Sequence, residues 1–123
     1  MLQRDRGSLL DILEQIRIIG EHLNGITLDT FLTDVLRQDA VLRRIEIIGE
    51  AATRLSSNFR DAHPEVEWRV IRDMRNFLIH VYDMVNYNKV WETVQNDLEP
   101  LKQAVEKILE DEIETGPAVG NEE

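Results

Sequence analysis

The chain has 123 residues, a formal net charge of -10 and no cysteine. That length supports one domain with a single modest core, and the absence of thiols excludes a disulfide framework, a cysteine nucleophile and thiolate metal sites. Residues 1–7 are charged rather than apolar, and no apolar run approaches the roughly 20 residues needed to span a bilayer, so the expectation is a cytoplasmic protein without a membrane partner.

The charge is unevenly spread. Residues 1–82 carry 13 acidic side chains against 11 arginines, whereas residues 83–123 carry 11 acidic side chains against three lysines. The first two thirds are therefore near neutral, which keeps a polyanionic partner open despite the overall acidity. Their cations are all arginines, whose forked guanidinium suits phosphate better than an ammonium does.

Apolar residues recur at helical spacing and never alternate for long, so the class is all-α. A first helix is expected to start at Ser8, where Asp11 three residues on resembles a capping box. It carries Leu9, Ile12, Leu13, Ile16, Ile19 and Leu23 on one face, and Asn24-Gly25 ends it. A second, long helix is expected over residues 27–55, with Leu28, Phe31, Leu32, Val35, Leu42, Ile45, Gly49, Ala52 and Leu55 as its buried stripe. Leu36, Ile47, Ile48 and Ala51 widen that stripe, which fits either one broad core face or burial partly against a second copy.

Residues 56–65 contain Asn58, Asp61 and His63-Pro64, which are turn signals, and Pro64 suits the first turn of a third helix. Trp68, Val70, Ile71, Met74, Phe77 and Leu78 are its packing candidates. The pattern pauses over residues 83–86. A fourth helix over residues 86–113 directs Val90, Trp91, Val94, Leu98, Leu101, Val105 and Ile108 inward, with Pro100 expected to kink it. The sum is a four-helix, largely antiparallel up-and-down bundle over residues 1–113, followed by an acidic, disordered tail over residues 114–123.

The run Arg75-Asn76-Phe77-Leu78-Ile79-His80-Val81-Tyr82 places a guanidinium, an amide, an imidazole and a phenol within eight residues, groups suited to a phosphodiester. On a regular helix Arg69, Arg72, Asn76 and His80 share one face, while Arg75 lies about 140° from His80 and on the side of Tyr82. Cleaving RNA without a metal needs a base for the 2'-hydroxyl, an acid for the leaving 5'-oxygen and positive charge at the phosphorus. His80 fits the proton work and Arg75 the charge. Because one chain supplies one such histidine, a two-fold dimer sharing a cleft would supply both acid and base. The plainer readings are that the arginines pair with Glu65, Glu67 and Asp73, that His80 caps a helix C-terminus, and that Tyr82 anchors the core. Glu46 and Glu50, one turn apart, read as a solvated or arginine-paired face. His22 and His63 read as surface residues, and no spacing suggests a metal site.

The spacing of Arg75, His80 and Tyr82 resembles the signature of the HEPN superfamily, specifically its HepT-like branch. The resemblance covers about residues 8–110: residues 38–51 look like the family's long second helix, residues 68–76 lead into the motif as family members do, and residues 90–102 resemble its last helix, proline included. It implies a homodimeric, metal-independent endoribonuclease without cofactors, the toxin of a type VII toxin-antitoxin pair. By position, Arg75 and His80 would be catalytic, with Asn76 accessory; Arg72, on the helical face of Asn76 and His80, is a further accessory candidate. The resemblance also implies a cognate minimal nucleotidyltransferase as antitoxin, silencing the toxin by AMPylation of Tyr82. The substrate would be RNA, with tRNA and mRNA both open. This chain departs from many relatives in carrying Val81 where they have glycine. The alternative is a non-catalytic helical dimer that binds a nucleotidyltransferase or a nucleotide.

Overall fold

The computed structural model describes residues 1–78 and 85–114, the side chains of residues 77, 78 and 114 excepted. Every regular element among them is helical. Helix α1 (Gln3–Leu23) ends at Asn24, and Gly25 turns the chain with φ +74°, a left-handed conformation that a residue without Cβ adopts freely. Helix α2 (Leu28–Phe31) is one turn, capped by Thr27, whose Oγ1 accepts from the Thr30 N–H at 3.2 Å. Helix α3 (Val35–Arg54) starts afresh at Asp34, whose carboxylate accepts from the Arg37 N–H at 3.1 Å and from its guanidinium at 2.6 Å. Then come α4 (Ser57–Ala62), α5 (Trp68–Asp73), a 3-10 segment (Met74–Leu78) and α6 (Tyr87–Glu114).

Helices α1 and α3 run antiparallel along a ladder of polar contacts. The Asp5 carboxylate accepts from the N–H and the Oγ of Ser56, both at 2.7 Å. Arg54 pairs with Asp11 at 3.1 Å, Arg44 donates to Gln15 at 3.1 Å, and Arg37 donates to the His22 carbonyl at 2.8 Å. Helix α6 is antiparallel to α1 as well. Its C-terminal end meets the chain start, where the Met1 ammonium lies 3.4 Å from Glu112. Its N-terminal end meets Phe31, with Trp91 and Tyr87 at ring-centroid distances of 5.5 and 6.1 Å.

Between these helices Leu9, Ile12, Phe31, Val41, Ile45, Ile48, Val90 and Val105 are fully enclosed. Each such side chain contributes roughly 1.5–3 kcal/mol relative to exposure, so the apolar interior holds the helices together and the polar ladder aligns them.

Several sequence expectations change. The first helix begins five residues before Ser8, which is buried in mid-helix, because the Asp5–Ser56 contact holds the preceding turn in place. The expected 27–55 helix is two helices, since the Thr27 and Asp34 side chains each cap a new start. Val35 and Leu36 in the second of these are 63% and 82% exposed and do not belong to the stripe. Residues 57–62 are helical rather than a turn, and the next helix starts at Trp68, not Pro64. Val70, a packing candidate, is exposed. The last helix runs as expected and contains Pro100. The 115–123 part of the tail lies outside the described residues.

Candidate active site

The segment carrying the arginines is anchored by an aromatic corner. The Phe59 ring of α4 packs at a tilt against His63 at 4.5 Å and Trp68 at 5.7 Å between centroids, and the Trp68 indole N–H donates to the His63 carbonyl at 2.9 Å. His63, whose Nδ1 lies 3.1 Å from Glu65, is thus part of the frame rather than a plain surface residue. From this corner α5 runs back along α3, with Trp68, Ile71 and Met74 buried.

Those three residues are spaced by three, and the helix tightens accordingly to three residues per turn from Met74. The tightening rearranges the polar residues. Arg72 and Arg75, also three apart, approach one face, while Asn76 rotates by about 90° from Arg72 and is exposed. The regular-helix grouping of Arg72 with Asn76 is therefore replaced by Arg72 with Arg75. Arg69 is exposed, and Arg72 and Arg75 are partly buried.

Gly49 of α3 makes this placement possible. A Cβ there would stand 2.9 Å from the Arg72 carbonyl oxygen and 3.1 Å from the Arg75 Cβ, closer than side-chain carbons sit. The backbone of the arginine segment thus rests directly on α3. The Arg72 Nε donates to Asp73 at 3.2 Å, and no described residue forms an ion pair with Arg75. Glu46 on the neighbouring face of α3 is taken by Arg43 at 2.8 Å, as expected of a paired face.

Of the five sequence-predicted residues, the structure sets the backbone of Arg72 and the Cβ of Arg75 against Gly49 of α3 and leaves Asn76 exposed. His80 and Tyr82, with Val81 between them, lie outside the described residues. Among the described residues no cluster of His, Asp and Glu could hold a metal ion, and no helix is long and apolar enough to cross a membrane. Sequence reasoning placed Gly49 in the buried stripe but missed its contact with the arginine segment. The available signal was a lone glycine among Ile and Ala in a helix that otherwise avoids it.

Among the described residues every regular element is helical, and the Arg72 backbone and the Arg75 Cβ lie against Gly49 of α3. A family model described as Ribonuclease HepT-like matches residues 12–108, and the chain belongs to that family. It is 40% identical over 108 residues to a protein of Thermococcus cleftensis named "Probable ribonuclease HepT", covering 88% of this chain and 98% of that one. It is 37% identical over 111 residues to a "Putative RNase" of Caldanaerobacter subterraneus, covering 90% and 99%. It is also 42% identical over 100 residues to a "Gamma-glutamylcyclotransferase and putative RNase" of Methanocaldococcus jannaschii, covering 81% of this chain but only 45% of that longer protein. No solved structure matches.

Proposed function

We propose that this chain is a metal-independent endoribonuclease, the toxin of a type VII toxin-antitoxin pair, acting in the cytoplasm as a homodimer of four-helix up-and-down bundles. The observation that carries the reading is the seating of Arg75 against Gly49 in a chain that keeps the Arg, Asn, His and Tyr of the family's motif. A guanidinium fixed at its base is preorganised for a phosphate whose charge rises in the transition state. Arg72 beside it adds a second cation, and Asn76 is an exposed accessory donor.

In this mechanism His80 of one protomer takes the 2'-hydroxyl proton, and the oxygen attacks phosphorus. The bond to the 5'-oxygen breaks as the same residue of the second protomer donates a proton. The products are a 2',3'-cyclic phosphate and a 5'-hydroxyl end. A minimal nucleotidyltransferase silences the enzyme by transferring AMP from ATP to the Tyr82 oxygen with release of pyrophosphate. The added negative charge then opposes RNA at Arg75.

The purified protein is expected to cut RNA in EDTA and leave cyclic-phosphate ends, while folded Arg75→Ala and His80→Ala variants lose at least about a hundredfold in rate. Undiminished cleavage by both variants would overturn the mechanism. No cleavage by the wild-type dimer, together with binding of the nucleotidyltransferase, would support the non-catalytic alternative. Incubation with the cognate nucleotidyltransferase and ATP should raise the mass by whole AMP units, and Tyr82→Phe should abolish the shift. Sedimentation should give about twice the 14.3 kDa chain mass at micromolar concentration.

A further inference from the structure

Helices α1 and α6 do not close against each other along their length. They leave an open groove of about 1080 Å³. Leu10, Leu13 and Ile16 form one side of its floor and Val94 and Leu98 the other. Leu10 is 45% exposed, while Leu13, Ile16 and Val94 are half-buried. On the α1 rim Asp11 is paired with Arg54 and Glu14 with Arg17, so the rim acids without an ion-pair partner among the described residues are Glu99 and Glu106 on α6. Of the two cations in the lining, Arg17 is already bound by Glu14 and Glu21, which leaves Lys102. Helix α6 as a whole carries eight acidic residues against three lysines. No residue of α3, α5 or the 3-10 segment lines the groove, so it is separate from the arginine site.

We propose that this groove is a docking site for an amphipathic helix of another protein, with an apolar ridge and lysine or arginine along the flank that faces α6. The α1 wall spans Leu10 to Leu23, about 20 Å at 1.5 Å per residue, which accommodates three to four helical turns. Apolar residues three and four apart on the partner fill the floor, and its flanking cations meet Glu99 and Glu106 on the α6 rim. The same charges disfavour the other occupants. A second copy placing its own groove here would set acid against acid, residues 115–123 contain two glutamates and no cation, and RNA is a polyanion.

The test uses the full-length protein and two synthetic 14-residue peptides with the same leucine ridge, one flanked by lysines and one by glutamates. The lysine peptide should bind saturably, shift amide resonances of α1 and α6 only, and weaken by about tenfold or more in the Glu99→Lys/Glu106→Lys double variant. The glutamate peptide should not bind. Equal binding of both peptides, indifference to the double variant, shifts confined to other helices, or no saturable binding of the lysine peptide would each overturn the proposal. So would a dimer that dissociates on Leu10→Asp, because a second copy would then be the occupant.

Discussion

The α-carbon of Gly49 sits where any Cβ would fall 3.1 Å from the Cβ of Arg75, so the position of the arginine depends on an atom that is missing from the facing helix. Gly49→Ala gains helix propensity worth up to about 1 kcal/mol but overpacks a backbone contact at a cost of roughly 1–3 kcal/mol. The displaced atoms belong to Arg72 and Arg75. RNA cleavage should therefore fall more than about tenfold in protein that remains folded at the assay temperature. Single-turnover rates set beside a thermal melt provide the check, and a rate loss no larger than the loss of folded protein would reject a positioning role.

The forked geometry of Arg75 should matter beyond its charge. Arg75→Lys keeps a cation on the same backbone but replaces paired donors with one mobile ammonium. Cleavage should drop by about one to two orders of magnitude with thermal stability unchanged. Wild-type rates in the lysine variant would mean that charge alone is used there.

Asp5 is 2% exposed and makes two 2.7 Å contacts with Ser56. Asp5→Ala leaves the Ser56 N–H and hydroxyl enclosed without that acceptor and should destabilise the fold by about 2–4 kcal/mol. In urea the midpoint should fall while the slope stays the same. Asp5→Asn, which keeps one acceptor oxygen, should lose less. Equal midpoints for all three proteins would show the contact to be energetically idle.

The carboxyl of Asp34 is held below the usual carboxylate range, first by its hydrogen bond with the Arg37 side chain and then by the Arg37 backbone N–H. A depressed folded value means that the unfolded chain binds the proton more readily. The stabilisation is complete above the ordinary aspartate range and is lost as pH falls through the folded value. Melting temperatures from neutral to acid pH should fall less steeply in Asp34→Asn than in wild type, and matching slopes would sink the assignment.

The helical class, the apolar face of α1 and nearly the whole of α6 were legible because long amphipathic periods leave little choice. Breaks inside the second expected helix were not. Thr27 and Asp34 can each start a helix, but an unbroken apolar period outweighs that signal in the sequence; in the fold both side chains cap new starts while Phe31 packs on Trp91. The arginine segment was misaligned for a related reason. A 3.6-residue period groups Arg72 with Asn76, whereas Trp68, Ile71 and Met74 repeat every three residues and favour the tighter winding that the 3-10 segment adopts. That triplet was present in the sequence, but neighbouring Val70 and Leu78 obscured it. The contact of Gly49 with Arg75 spans 26 positions and follows from no local pattern.

The polar rungs between α1 and α3 act as a vernier for the two rods. Leucines and isoleucines recurring every three or four positions would mesh almost as well after a slide of one helical turn, leaving apolar burial nearly indifferent to the offset. Such a slide would part Asp5 from Ser56, Asp11 from Arg54, Gln15 from Arg44 and the His22 carbonyl from Arg37 at once. The offset of α1 in turn fixes which of its residues overhang α6, so four modest contacts on one side of the molecule determine the shape of the cleft on the other.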